Sequence, residues 1–341
     1  MNVTHPHVNR PAGDGVVYAR TREGFDLPVI DVTHPRFAVE HDPAAVRATY
    51  GVFVEEERRR QRIPKFIMRM MLHAAARNSR LVRAMFHSQS GFLDGMSTYV
   101  MKLGPENLVP PYDSPMDRRM AASHHVVLVR LRMQQVARLI ADGLVDDLAA
   151  NATAPLALVN IGGGPALDSI NALIMLRRNR PELLERRIAI EVLDASADGA
   201  FFGANALAAL QAGSGPLASL DIAMRRHDYD WNAPAALQSL LAAHSSAGAI
   251  IAASSEGALF EYGSDQAIVE NLKALRAGGA RLVAGSVTCA DETRRRTIAT
   301  TRFKLVPRGI EGFTPLAQQG GFRLAKIERA GLSDQVLMRP V

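Results

Sequence analysis

Short runs of aliphatic residues alternate with segments of helical periodicity in the second half of the chain. The runs predict strands over residues 156–161, 188–193, 220–225, 249–253 and 282–287, with helices between them that include 166–178 and 265–276. Strands that are apolar along their whole length and separated by helices are typical of a parallel sheet covered on both faces. Two later strands, 322–328 and 335–338, are joined by a tight turn that contains Gly331. The second half is therefore predicted to be an α/β domain.

Helix-start signals replace the strand signals in the first half. Asp42 and Pro43 supply a capping acid and a proline at the first helical position, and they predict a helix to about residue 62. Further helices are predicted over 64–86 and over about 114–150. We therefore predict an irregular arm over residues 1–40, an all-helical domain over 41–150 and the α/β domain over 151–341. One cluster in the second helix is predicted to pack in a core: Met68, Met70, Met71 and Leu72.

The composition argues against several classes of protein. The net charge of +6 comes from arginines interleaved with acids, and aromatic residues, at 6%, are too sparse for base stacking, so no nucleic-acid partner is expected. Cys289 is the single cysteine, which excludes an internal disulfide and a multi-cysteine metal site, and we expect no metal. No apolar run is long enough to span a membrane, so we expect no membrane partner and a cytoplasmic location.

The strongest chemical signal is a glycine-rich loop between a strand and a helix. Gly162, Gly163 and Gly164 follow the apolar segment 156–161 and precede the predicted helix. Glycines let the backbone turn sharply and let a ligand approach without a Cβ in its way, at the positive end of the following helix. The loop is therefore predicted to bind a nucleotide cofactor.

Neighbouring residues narrow the choice of cofactor. Leu167 occupies the third glycine position of the dinucleotide fingerprint, which disfavours a nicotinamide cofactor, and the loop lacks the Gly-Lys-Ser/Thr ending that cradles phosphates. Asp194 ends the next apolar strand, where its carboxylate can accept two hydrogen bonds from ribose hydroxyls. After the strand that follows, Asp228 and Tyr229 place an acid beside an aromatic ring where an adenine would lie.

Together these segments resemble class I S-adenosylmethionine-dependent methyltransferases over roughly residues 150–341. The loop from Val159 to Pro165 looks like the first motif of that family, Asp194 matches its ribose-binding acid, and Asp228 matches its adenine-edge position. The two last strands resemble its terminal β-hairpin. The resemblance implies a Rossmann-like mixed sheet of seven strands, one of them antiparallel, with helices on both faces, preceded by the all-helical domain. It also implies S-adenosyl-L-methionine as the cofactor.

The sequence departs from the family pattern at two positions. Asn160 stands where an acid is common, and Ala166 stands where a glycine is common. Asn160 can still hold water or backbone near the methionine end of the cofactor, but without the charge. The residues expected to contact the cofactor are Asn160, Gly162, Gly163, Gly164, Asp194, Asp228, Tyr229 and Ser254.

The acceptor is expected near the loops after the fourth strand, because ligands of open α/β sheets bind outside the carboxyl ends of the strands. Glu256 is a candidate base or cation-binding acid, with a structural loop carboxylate as the alternative, and Tyr262 is a candidate for orienting the acceptor. The segment 293–312 is either a surface excursion or a flap near the substrate. In the helical domain the candidate acceptor-binding residues are Tyr112, Arg118 and His124, the last of which is also explained as an ordinary packed or surface histidine.

We therefore expect an enzyme that transfers a methyl group from S-adenosylmethionine to the oxygen, nitrogen or sulfur atom of a small molecule. Methyl transfer is an in-line displacement at an activated sulfonium, so the protein supplies alignment and exclusion of water, and a base only if the acceptor must lose a proton. The helical domain would be a substrate cap or the surface of a homodimer. The alternatives are an NAD(P)-dependent oxidoreductase and a non-catalytic scaffold that binds a nucleotide cofactor.

Overall fold

The computed structural model describes residues 15–87, 94–300 and 303–341. The strands in these ranges are β1 Tyr18–Arg20, β2 Asp26–Pro28, β3 Leu156–Ile161, β4 Ile188–Leu193, β5 Ile222–His227, β6 Ile250–Ser255, β7 Ala280–Thr288, β8 Phe322–Arg329 and β9 Ser333–Pro340. Every strand predicted for the second half is present, with ends that differ from the prediction by no more than two residues.

The helices comprise an N-terminal group and a group that connects the strands of the large sheet. The first group is α1 Pro43–Gln61, α2 Lys65–Asn78, α3 Arg80–His87, α4 Gly95–Lys102, α5 Pro115–Ala121 and α6 His124–Ala150. The second is α7 Leu167–Asn179, α8 Ala197–Gln211, α9 Ala235–Ser246, α10 Leu259–Tyr262, α11 Asp265–Ala277, α12 Glu292–Thr300 and α13 Gly309–Gln319. Short 3-10 turns lie at Pro105–Asn107 and Pro181–Leu184.

Seven strands form one mixed sheet in the order β5-β4-β3-β6-β7-β9-β8. The first five strands of that order pair in parallel, and β9 is antiparallel to both of its neighbours. All six residues of β3 are buried, as the unbroken apolar pattern predicted for a central parallel strand. The predicted fold class, a seven-stranded Rossmann-like sheet with helices on both faces behind an N-terminal helical region, is confirmed.

The order in which successive strands are added to the sheet reverses at β3. The chain runs outward from β3 through β4 to β5 and then returns to the other side of β3 as β6 and β7. The connections that leave the carboxyl ends of β3 and β6 therefore diverge, and a crevice opens between them. The glycine-rich loop, which directly follows β3, lies at this crevice.

The last helix of the N-terminal region packs directly on the sheet. Leu139 and Leu144 of α6 belong to the same buried core as Leu156 of β3 and Ile188 of β4. Gly143 allows a close approach, because a Cβ there would lie 3.0 Å from a methyl carbon of Leu282 in β7. The predicted boundary at residue 150 thus falls between two elements of one core, and α6 forms part of the layer that covers the sheet.

Two predicted helices are interrupted by capping side chains. The helix predicted over 64–86 is divided at Ser79, whose hydroxyl donates to the buried Asp117 carboxylate at 2.5 Å. The helix predicted over 114–150 is divided near Ser123, whose hydroxyl accepts from the backbone N–H of Val126 and so caps α6. Serine competes with the helical backbone for hydrogen bonds, which favours a new helix start over continuation.

The predicted core packing of the methionines in α2 is wrong. Met70 and Met71 are 65% and 53% exposed, and Phe66 beside them is 73% exposed. Helical periodicity showed that these residues share one helix but not which of its faces the rest of the chain covers. The described part of the 1–40 arm, in contrast, packs partly into the core: Leu27 and Ile30 lie in the main core, and the backbone N–H of Val32 donates to Asn171 of α7 at 2.8 Å.

Candidate functional site

A cavity of about 1610 Å³ lies at the carboxyl ends of β3, β4, β5 and β6. The sheet side of its wall comes from the glycine loop and the strand ends, and the other side from helices α1–α6 and α12. Sites for a single drug-sized ligand usually measure roughly 300–1,000 Å³. The cavity therefore has room for two small ligands side by side.

The glycine loop lines the cavity and turns in the way that only glycine adopts readily. Gly162 and Gly164 have φ angles of 66° and 50°, in the left-handed region. The Asp194 carboxylate at the end of β4 accepts from the backbone N–H of Gly164 at 2.9 Å and from that of Ser196 at 2.8 Å. Asp194 thus fixes the loop against β4 while still lining the cavity, where its remaining lone pairs can accept further hydrogen bonds.

Ala166 directly follows the loop and is also left-handed, with φ 55°. The family resemblance places a glycine here, and the backbone explains that preference, because a left-handed L-residue with a Cβ costs about 1–2 kcal/mol. The residue nevertheless lies fully buried in the main core.

This strain leads to a paired stability prediction. Ala166→Gly and Ala172→Gly both remove a fully buried methyl group, but Ala172 lies inside α7. Ala166→Gly relieves strain, whereas Ala172→Gly adds a helix-propensity loss of about 1 kcal/mol, so we expect Ala166→Gly to be the more stable variant by about 2 kcal/mol. Urea unfolding of the two variants measures the difference, and equal free energies of unfolding would contradict the strain.

Asn160 and Ser254 lie beneath the loop, outside the cavity wall. The Asn160 amide, which is fully buried, donates to Asp168 at 2.6 Å and to the Ser254 hydroxyl at 2.7 Å, and its oxygen accepts from Ser169 at 2.9 Å. Asp168 does line the cavity, and burial raises the pKa of its carboxyl. Asn160 therefore holds in position a neighbouring acid, Asp168, that does line the cavity.

The segment after β5 lines the cavity, but not with Asp228, the acid that the sequence analysis selected. The Asp228 side chain is 84% exposed, pairs with Arg226 at 3.0 Å and lies outside the cavity wall. Tyr229, Asp230 and Trp231 line the cavity. The Tyr229 hydroxyl donates to Asn271 at 2.5 Å, which fixes the ring at the end of the strand.

Four buried ionisable side chains form an ion cluster at the wall of the cavity beyond β6. Glu256, in the loop after β6, accepts from Lys102 of α4 and from Nε of Arg132 of α6 at 2.5 Å. Arg132 also contacts Glu261 of α10 at 3.2 Å. Burial alone would raise the pKa of Glu256, but Arg132 and Lys102 outweigh it and lower that pKa to about 2. Glu256 is therefore ionised, and its carboxylate oxygens are engaged by two cations.

Two further titratable side chains line the same region. Burial, with Arg294 and Arg132 nearby, lowers the pKa of His125 to about 3, so its imidazole is neutral at physiological pH. Burial raises the pKa of Tyr262 to about 12, so its phenol is protonated. Both side chains face the cavity as neutral polar groups.

The candidate acceptor-binding residues of the helical region lie outside the wall. The Arg118 guanidinium donates to the carbonyl oxygens of Pro105, Leu108 and Asp113. Tyr112 lies under the Arg80 guanidinium, 5.7 Å from ring centre to carbon, and His124 pairs with Glu56 at 2.9 Å near the surface. The neighbouring histidine, His125, is the one that faces the cavity.

Sequence reasoning missed the cations of the ion cluster, although a signal was present. Lys102 interrupts the apolar run of residues 99–103, and Arg132 lies between the buried Leu131 and Met133 of α6. A charge at a buried position of an amphipathic helix requires a partner. The pattern could have identified both residues as buried charges, but not the acids, more than a hundred residues away, that pair with them.

Comparison with known proteins shows the fold. No family model and no curated protein matches the chain. A solved structure described as a possible exported protein from Bordetella parapertussis is similar with a TM-score of 0.54 and 15% identity, over 88% of this chain and 99% of that chain. The match extends across both the N-terminal helices and the sheet, so the two proteins share one architecture.

Structures of methyltransferases are also among the matches, at lower scores. CalO1, a methyltransferase in calicheamicin biosynthesis in its SAH-bound form, has a TM-score of 0.37 and 13% identity, over 75% of this chain and 70% of that chain. RosA from Streptomyces davawensis, an N,N-8-amino-8-demethyl-D-riboflavin dimethyltransferase, has a TM-score of 0.37 and 15% identity, over 77% and 70%. The seven-stranded sheet with antiparallel β9 is the sheet that the sequence resemblance implied.

No helix in the described part of the chain is both long enough and apolar enough to cross a membrane.

Proposed function

We propose that the protein is an S-adenosylmethionine-dependent methyltransferase that acts on a small-molecule acceptor. The observation that carries the proposal is the glycine loop after β3, held by Asp194, on the wall of a cavity with room for a cofactor and an acceptor. The loop presents backbone without a Cβ at the start of α7, and Asp194 retains free lone pairs, so both fit a nucleoside cofactor.

Within this proposal, the residues along the strand ends divide between the two ligands. The glycine loop would contact the methionine and ribose parts of the cofactor, Asp194 would accept from the ribose hydroxyls, and Trp231 would lie beside the adenine. The wall beyond β6, with Glu256, Tyr262 and His125, is then left for the acceptor. The bound cofactor supplies an activated methyl group, and the protein aligns the acceptor with it and excludes water.

The contacts of Glu256 change the role that we assign to it. A carboxylate whose pKa is about 2 is a weak base, because efficient base catalysis needs a pKa near the working pH. We therefore assign Glu256 the positioning of Arg132 and Lys102 and assign Tyr262, whose protonated phenol lines the cavity, the orientation of the acceptor.

The alternative of a nicotinamide oxidoreductase has less support. Leu167 fills the position where the dinucleotide fingerprint needs a small residue, and its side chain is buried in the core. The antiparallel β9 between β7 and β8 is a feature of the methyltransferase resemblance.

The proposal is tested by ligand-induced stabilisation. S-adenosylmethionine and S-adenosylhomocysteine should raise the melting temperature, whereas NAD and ATP should not. A ligand that binds only the native state stabilises it by about 2.7 kcal/mol at a hundredfold excess over Kd. Differential scanning fluorimetry measures the shift; a shift with NAD and none with S-adenosylhomocysteine would overturn the proposal.

A further inference from the structure

Arg294, near the start of α12, is a buried cation whose guanidinium is not fully hydrogen-bonded by the described residues. The residue is 5% exposed and lines the cavity, and its Nε makes no hydrogen bond. Its backbone N–H donates to Asp291 at 2.9 Å, which caps the helix, and the acid whose charge acts most on its side chain is Glu261. Although burial lowers the pKa of Arg294, a guanidinium stays protonated at neutral pH.

An unpaired charge at such a position is unfavourable. Buried charges are paired or coordinate a ligand, because desolvation of an isolated ion costs several kcal/mol. The nearby acids are already engaged, since Glu256 binds Lys102 and Arg132, and Glu261 binds Arg132. Both acids thus already have basic partners in Lys102 and Arg132, so neither is reserved for Arg294.

Of the remaining groups near Arg294, Asp291 already accepts from the backbone N–H of Arg294 and from the Tyr50 hydroxyl, each at 2.9 Å. His125 is neutral, because burial lowers its pKa to about 3. Arg60, which also lines the cavity, pairs with Glu57 at 2.5 Å. An anionic group of a ligand would therefore be the counter-charge of Arg294.

The position of Arg294 indicates which ligand carries that group. Its helix, α12, follows β7, which is two strands from β3 on the side away from β4 and β5. The glycine loop and Asp194, which we propose hold the cofactor, lie at β3 and β4. Apolar side chains also line the cavity, including Phe53, Leu305 and Leu332.

We propose that Arg294 binds a carboxylate group of the acceptor, so that the substrate is a small organic acid with an apolar body. This inference rests on the proposed methyltransferase function. The carboxylate of the cofactor's methionine part is the other source of the same chemistry, and the experiment separates the two. A planar guanidinium can bind a carboxylate through two parallel hydrogen bonds, which gives both affinity and orientation.

The experiment compares Arg294→Met with Arg295→Met, which removes the same charge from an exposed position one residue further along α12. Binding is measured by calorimetry in two arms. The first arm titrates S-adenosylhomocysteine. The second arm, with S-adenosylhomocysteine present, titrates a panel of aromatic and aliphatic carboxylic acids, each matched with its primary amide.

We expect wild type and Arg295→Met to bind at least one acid about 10- to 100-fold more tightly than its amide, as for a hydrogen bond between charged groups. Arg294→Met should lose this preference, keep its S-adenosylhomocysteine affinity within about threefold, and unfold in urea no more readily than wild type, because it removes an unpaired buried charge.

Other outcomes have distinct meanings. If wild type does not bind S-adenosylhomocysteine, the proposed function fails. If wild type binds S-adenosylhomocysteine but prefers no acid to its amide, the inference about Arg294 fails alone. A loss of S-adenosylhomocysteine affinity confined to Arg294→Met would assign Arg294 to the cofactor's carboxylate and overturn an acidic acceptor. If Arg294→Met unfolds more readily than Arg295→Met, Arg294 has a structural role and the inference is overturned.

Discussion

Replacing Glu256 with glutamine is expected to destabilise the protein by about 3–5 kcal/mol, the usual effect of removing one partner from a buried ion pair. Glu256 holds Lys102 and Arg132, and its side chain is 9% exposed. Glutamine has nearly the same shape but leaves two buried cations with Glu261 as the remaining acid of the cluster. Chemical denaturation with urea measures the loss.

The matched control is Glu292→Gln. The Glu292 side chain pairs with Arg296 but is 76% exposed, and exposed pairs contribute about 0–1 kcal/mol. If Glu256→Gln costs no more than this control, the buried cluster does not contribute to stability as described.

The same carboxylate gives the wild-type protein a characteristic acid sensitivity. Glu256 has a native pKa of about 2, below the ordinary value of 4.5, so its contribution is present above about pH 4.5 and is lost as the pH falls toward 2. A depression of this size corresponds to roughly 3 kcal/mol. The wild-type minus Glu256→Gln difference in unfolding free energy should therefore shrink over that interval, and a difference that stays constant from pH 6 to pH 3 would contradict an ionised, paired Glu256.

Asp194→Ala is expected to weaken binding of S-adenosylhomocysteine by roughly a hundredfold. The substitution removes the proposed acceptor of the ribose hydroxyls and the bond that holds the backbone N–H of Gly164 at 2.9 Å. Hydrogen bonds to a charged group contribute about 1.5–3 kcal/mol each, and a hundredfold change in Kd corresponds to about 2.7 kcal/mol. Isothermal titration calorimetry measures the Kd of S-adenosylhomocysteine for wild type and for Asp194→Ala.

Asp228→Ala is the control for this variant. Asp228 follows the adjacent strand and was the predicted adenine-edge acid, but its side chain is 84% exposed and lies outside the cavity wall. We expect the affinity of Asp228→Ala for S-adenosylhomocysteine to remain within about threefold of the wild-type value. If both variants lose affinity equally, the cofactor also contacts the loop after β5. If Asp194→Ala keeps its affinity, Asp194 is not part of the binding site.

The sheet was predictable because its signals are local. The central strands β3 and β4 are short, mostly apolar runs, and the glycine loop and Asp194 lie at the strand ends that this pattern defines. Parallel pairing brings consecutive strand ends to one edge, so the cofactor side of the cavity follows from the sequence once the α/β pattern is accepted.

The acceptor side was not predictable in the same way. Lys102, Arg132 and Arg294 become parts of one wall only when helices from distant parts of the chain pack over the sheet. Helical periodicity also gave no means to choose between His124 and His125, because neighbouring residues differ by about 100° around the helix and the covering elements decide which is buried. Asp228 was predicted at the adenine edge, but the acid of this loop that lines the cavity is Asp230, two residues further along.

The length of α6 connects the cavity to the far side of the sheet. His125 and Arg132 near its start line the cavity, whereas Gly143 near its end lies against β7 and β9, where its carbonyl oxygen accepts from Arg339 at 2.5 Å. Because one continuous helix is packed on the sheet at one end and lines the cavity at the other, we expect the α6 wall to vary less than the walls formed by α1–α5 and α12. Substitutions in those other helices are then expected to alter which molecules enter the cavity without altering the glycine loop.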